Sequence, residues 1–98
     1  MADFNDLIHQ PMRLKIMATL NTFPSGELVE FVRLREIIQA TEGNLGAHLA
    51  TLEKAAYIEV LKDFLGKKPR TRVQMTPNGR KAFRQHVQHL NDLLSGDR

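Results

Sequence analysis

Apolar residues along this chain follow two rhythms, and the switch between them marks its elements. Met12, Leu14, Ile16, Met17, Ala18 and Leu20 form a wide helical face. Pro11 suits the first turn of that helix, where a missing N–H leaves no bond unmade. Asn21-Thr22-Phe23-Pro24-Ser25-Gly26 ends it, while Phe4, Leu7 and Ile8 form a separate apolar lead-in. Leu28-Val29-Glu30-Phe31 reads as a short extended segment. Phe31, Leu34, Ile37 and Ile38 then return to helical spacing, with Arg33, Arg35 and Glu36 outside. Thr41 carries the hydroxyl of an N-cap. Behind it Leu45, Leu49 and Leu52 bury one face of a third helix over about residues 42–56.

At residue 58 the period drops to two. Ile58, Val60 and Phe64 alternate with polar positions, and so do Thr71, Val73 and Met75. Two strands around the turn formers Gly66-Lys67-Lys68-Pro69 predict a hairpin with a longer loop. Thr76-Pro77 repeats the cap-plus-proline start signal, and Phe83, Val87, Leu90 and Leu94 stripe a last helix. The order is helix, short strand, helix, helix, strand, strand, helix: a mainly α fold with a small β-hairpin (α+β). Two compact helices joined by a tight turn, followed by a hairpin, make a winged helix-turn-helix.

Charge adds a direction to this picture. The stretch from Lys62 to Arg84 holds eight basic residues and one acidic residue, a balance of +7. The other 75 residues sum to −4, because the whole chain carries +3. A basic hairpin on a slightly acidic body presents a surface to polyanions, and DNA is the leading candidate. At 98 residues the chain is read as one domain, residues 1–98, near the lower end of comfortable stability. It has no cysteine, hence no disulfide framework and no thiolate metal site. The beginning MADFNDLIHQP lacks the apolar core of a secretory signal, and no run approaches a bilayer span. A soluble cytoplasmic protein is the expectation.

The chain resembles the small stand-alone winged-helix transcriptional regulators of bacteria and archaea, relatives of the MarR and ArsR groups. The likeness is carried by His9-x-Pro11-x-Arg13-Leu14-x-Ile16, by Phe31-x-x-Leu34-Arg35, and by Gly43-Asn44-Leu45-x-x-His48-Leu49-x-x-Leu52-Glu53. It continues through Tyr57-Ile58-Glu59-Val60 and Pro69-Arg70-Thr71-x-Val73-x-Met75-Thr76-Pro77-x-Gly79-Arg80. The resemblance implies a sequence-specific DNA-binding homodimer acting on promoters, usually as a repressor. Two positions depart from the pattern. Gly46-Ala47 stands where the family often has Ser and a basic or polar residue, and Ala56 where it usually has Gly.

On that fold the helix 42–56 would enter the major groove. Asn44 is placed to pair with adenine, His48 to reach a base or phosphate, and Thr51 to meet a thymine methyl or phosphate. The plainer roles are a second cap at Asn44 and rim packing at His48. In the wing 66–72, Lys67, Lys68, Arg70 and Arg72 are candidates for phosphate and minor-groove contact; a solvated basic loop is the bland alternative. Arg13, Arg33 and Arg35 would either touch the backbone or pair with Glu30 and Glu36. Arg80 and Lys81 lie in the first turn of the last helix, against its dipole, which proximity to phosphates or plain exposure explains. Phe4, Leu7, Ile8, Phe83, Val87, Leu90 and Leu94 form the candidate dimer surface, so that residues 1–20 and 77–95 contribute to dimerisation. The alternative is that this stripe folds back as core.

His86-x-x-His89-x-x-Asp92 has metal-compatible spacing, but the histidines read as the solvated flank of the apolar stripe, and no metal or cofactor is expected. An enzyme is not expected, since the sequence shows no phosphate loop, no nucleophile elbow and no paired carboxylates for a pocket wall. Gly46, Ala47 and Ala50 make the third helix smooth, which keeps a protein-docking module or a nonspecific architectural DNA binder open. No residue identifies a small-molecule effector.

Overall fold

The computed structural model describes residues 5–96, and its elements follow from local signals. A one-turn helix α1 (Asp6–His9) is capped by Asn5, whose side chain accepts the Ile8 N–H. Gln10 precedes Pro11, and such a residue is pushed out of the helical region. Its extended backbone separates α1 from α2 (Pro11–Asn21), and its side chain caps α2 by accepting the Arg13 N–H. The lead-in is therefore a helix of its own, an element beyond the seven that the hydrophobic pattern marks. Strand β1 (Val29–Glu30) runs directly into α3 (Phe31–Ile38). Gln39, left-handed at φ 60°, turns the chain into α4 (Glu42–Lys54), which Thr41 caps through the Asn44 N–H.

Strands β2 (Ile58–Leu65) and β3 (Lys68–Met75) form the hairpin, and helix α5 (Pro77–Ser95) closes the chain. Order in the antiparallel sheet is β1-β3-β2, with Val29 opposite Val73 and Val60 opposite the same valine on the other side. The fold is thus mostly helical with a small three-stranded antiparallel sheet, as the alternating pattern predicted.

Two boundaries differ from expectation. The third helix stops at Lys54 rather than residue 56, because Ala56 turns left-handed at φ 65°. The hairpin closes with a two-residue turn, Gly66-Lys67, not a loop reaching Pro69. Gly66 supplies φ 66° at the first turn position while Lys67 keeps an ordinary φ, the pattern of a II′ turn. Pro69 sits inside β3 opposite Phe64, at the next pair after the closing pair Leu65–Lys68. There its missing N–H faces the open edge of the strand, beyond the reach of β1, so no ladder bond is lost.

The core joins every element. Ile8, Ile16, Met17, Leu34, Leu45, Leu52 and Val73 have no exposed surface, and Leu20, Val29, Leu49, Ile58, Met75 and Phe83 pack with them. The N-terminus of α5 is pressed against the start of β2. A Cβ on Gly79 would lie 2.0 Å from the Tyr57 carbonyl oxygen, so only glycine fits. Among the described residues no helix is long and apolar enough to cross a membrane.

Candidate nucleic-acid interface

Helix α4 is amphipathic in an unusual way. Leu45, Leu49 and Leu52 anchor one side in the core, while Asn44, Ala47 and Thr51 are exposed on the other. The Asn44 backbone N–H satisfies the Thr41 cap, leaving its amide side chain at the exposed first turn. The Thr51 hydroxyl donates to the Ala47 carbonyl at 3.3 Å. His48 is half-buried, and its Nδ1 lies 3.1 Å from Arg13 Nη1. Arginine has only donors, so Nδ1 accepts and the His48 proton sits on Nε2. Arg13 also donates Nε to the Leu7 carbonyl, so it ties α1 and α2 to α4 instead of reaching outward.

Between α4 and the inner face of the hairpin lies an open cleft of about 750 Å³. Gly43, Gly46, Ala47 and Ala50 line its helix side, with Glu42 and Glu53, and Val60, Lys62 and Thr71 line its strand side. Gly46 and Ala47 are thus among the small residues that leave this space open.

The hairpin separates its charges by face. Directly opposed residues share a face, so Lys62–Thr71 and Phe64–Pro69 continue the core-facing row, while Leu61–Arg72, Asp63–Arg70 and Leu65–Lys68 occupy the other. Lys67 and Lys68 are exposed at the tip. Arg70 and Arg72, the other wing candidates for phosphate contact, both meet Asp63. Arg70 donates Nε and Nη2 to the two Asp63 oxygens at 2.9 Å each, and Arg72 Nη2 donates to Asp63 Oδ2 at 2.9 Å. The Arg70 hydrogen bond, with the charge of both arginines, holds the Asp63 carboxyl below the usual carboxylate range. The sequence showed Asp63 only as the one acid of a basic stretch; its place in direct register with Arg70 needs the strand pairing.

Other basic residues have structural partners. Arg80 reaches from α5 to the end of α2, donating to Asn21 Oδ1 at 2.9 Å and lying 3.4 Å from the Phe23 carbonyl. Arg33 stacks over the Phe23 ring at 5.1 Å, and Arg35 lies 3.8 Å from Glu42. Neither pairs with Glu30 or Glu36 in these contacts.

Part of the expected dimer surface is interior. Ile8 is fully buried and Phe83 is 7% exposed, because α1 and α5 pack over α2 and consume that part of the stripe. Leu7 and Val87 are half-buried against the core, and Leu90 is half-exposed. Leu94 is 85% exposed and its neighbour Leu93 61%. Phe4 lies outside the described residues. His86 is not a solvated flank: it is 2% exposed, with Nε2 lying 3.1 Å from His9 Nδ1. Burial, then the nearby His9 and His89, push its pKa down, against a smaller opposing effect of Asp6. Among the described residues no group of three or more His, Asp or Glu side chains is placed to hold a metal ion.

A family described as the winged helix DNA-binding domain matches residues 12–94. An uncharacterized protein of Methanocaldococcus jannaschii is 32% identical over 87 residues, covering 89% of this chain and 91% of that protein. Among solved structures, a transcriptional regulator homologue from Pyrococcus horikoshii OT3 superposes with a TM-score of 0.83 at 25% identity. The match covers 94% of this chain and 88% of that one. A MarR-family protein from Porphyromonas gingivalis W83 shares the fold at a TM-score of 0.64 and 17% identity, over 96% and 95% of the two chains.

Proposed function

This chain belongs to the winged helix DNA-binding domain family, whose members are regulators and not enzymes, and from that premise we propose a homodimeric, sequence-specific repressor. The N-terminal part of α4 enters the major groove, where Asn44 meets a base edge; farther along the helix His48 offers its Nε2–H to a base or phosphate and Thr51 meets a thymine methyl or phosphate. Lys67 and Lys68 at the tip of the wing reach the adjacent minor groove or backbone. The exposed end of α5, with Leu90 and Leu94, carries the dimer contact and Leu93 joins it. Two copies then present their α4 helices about one DNA turn, roughly 34 Å, apart. Binding of a dimer across a promoter blocks polymerase. The protein works in the cytoplasm, where its DNA is.

The observation that carries this reading is the juxtaposition of an exposed helix start at Asn44 with a projecting wing whose tip is two lysines. The smooth part of the cleft face of α4 favours a second reading, a protein-docking module, because Gly43, Gly46, Ala47 and Ala50, between Glu42 and Glu53, leave a groove for a partner's side chains. Selection of bound duplexes from a random pool, followed by titration at two salt concentrations, separates the two. The expected result is an enriched inverted repeat whose affinity falls steeply with salt. Salt-dependent binding without enrichment indicates an architectural role, and no binding at low salt leaves the docking module.

A further inference from the structure

Asp63 is the only acidic residue between Lys62 and Arg84, and it contacts two of the eight basic residues there. Three N–H groups from two guanidinium forks converge on its carboxylate at 2.9 Å each. That donor set is the one arginines offer to a phosphate, because carboxylate and phosphate present similar pairs of anionic oxygens. The cluster is not the hairpin's only tie: eight cross-strand pairs, one of them Asp63–Arg70, and the Gly66-Lys67 turn join β2 to β3. The cluster also sits on the outer face of the wing, turned away from the core-facing row of Val60 and Val73.

We infer that Asp63 is an internal phosphate mimic that holds Arg70 and Arg72 back from DNA backbone and so limits nonspecific binding. The inference rests on the DNA-binding reading above and adds a specificity-determining residue to it. Asp63 neutralises one of the two guanidinium charges, and Glu30, opposite Arg72 on β1, adds a further negative charge near Arg70 that Asp63→Asn leaves in place. A random duplex must displace Asp63 to gain each arginine. The loss of an arginine–carboxylate contact offsets the gain of an arginine–phosphate contact, so undirected encounters stay weak. Contacts from Lys67 and Lys68, which have no such counter-ion in the cluster, still guide the wing to the duplex.

The test compares the wild-type protein with Asp63→Asn on a random-sequence duplex and on the selected site, across 50–200 mM salt. Release of the arginines predicts about tenfold tighter binding to the random duplex at low salt. The slope of log K against log salt steepens by about 0.9 for each arginine that reaches a phosphate. The ratio of specific to random affinity falls. In an Arg70→Ala, Arg72→Ala background the same Asp63 substitution produces no gain. Asp63→Ser repeats the comparison without an amide, and far-ultraviolet circular dichroism checks that each variant is folded. Unchanged or weaker binding with a flatter slope overturns the inference, since Asp63 would then position the arginines for DNA. A gain that persists without the arginines also overturns it, by assigning the effect to overall charge. No binding by any of these proteins at 50 mM salt fails the DNA reading itself, a result distinguishable from wild-type binding that Asp63→Asn leaves unaltered.

Discussion

Ala56 holds a left-handed backbone, at φ 65°, where a Cβ crowds the following carbonyl. The position is forced by what surrounds it. The Ala56 N–H closes the last turn of α4 on Glu53, the Thr76 hydroxyl donates to the Ala56 carbonyl, and Tyr57 immediately starts toward β2. Ala56→Gly removes the steric cost but adds freedom to the unfolded chain. The net expectation is a gain of about 0.5–1 kcal/mol, read as a higher urea midpoint at unchanged slope. A loss of stability would show that the methyl group contributes packing worth more than the strain. The resemblance already pointed to this residue, because the family usually has glycine there. It did not point to the buried role of His86. That side chain lies three residues beyond Phe83 and seven beyond Gly79, squarely on the inward face of α5. Counting only apolar positions passed over it, although the spacing itself contained the signal.

At the scale of elements, the helices and strands were legible because their periods are long enough to count. The wing turn was not, since Pro69 resembles a loop residue until the partner strand shows that its side facing away from β2 is open. Nor were the ties between distant elements, such as Arg13 to His48, which lie 35 positions apart. Arg80 is the clearest case. Its placement against the α5 dipole suggested phosphate, but its guanidinium meets Asn21 and the Phe23 carbonyl at the end of α2, where positive charge is favourable. Arg80→Ala is expected to lower stability by about 1–2 kcal/mol. The salt slope of DNA binding should stay as it was. A flatter slope by about 0.9 would return Arg80 to the DNA footprint.

The contact of α1 with α5 has a pH dependence of its own. The folded-state pKa of His86 lies below its ordinary value of 6.5, so the unfolded chain takes up the proton first. The contribution of the neutral, buried imidazole is therefore complete above about pH 6.5. It declines as the pH falls from there toward the lowered folded value. Thermal melts between pH 7.5 and 5 should show a falling midpoint for the wild type, with a shallower fall for His86→Gln relative to its own neutral-pH midpoint. Equal slopes for the two proteins would remove His86 as the source.

The whole molecule is elongated, with extents of 54 × 25 × 21 Å. A 98-residue chain with so drawn-out a shape has much surface for its core, and covering apolar surface with a second copy is favourable. Ile8 and Phe83 are already occupied inside the chain, which moves the proposed interface toward the free end of α5. Leu93 and Leu94 lie there side by side, more than half exposed. Replacing both with Asp removes apolar area and adds like charge across a two-fold axis, while leaving the core of α1, α2 and α5 untouched. The expected result is a shift in sedimentation from dimer to monomer at unchanged helix content. Affinity for an inverted repeat should fall by roughly 100-fold or more, because the second half-site is no longer bound intramolecularly. Affinity for one isolated half-site should not move, since α4 and the wing remain as they were. A variant that stays dimeric would place the interface elsewhere on the chain. A wild-type protein that sediments as a monomer at high concentration would leave each α4 to read its site alone, and the repeat would lose its physical basis.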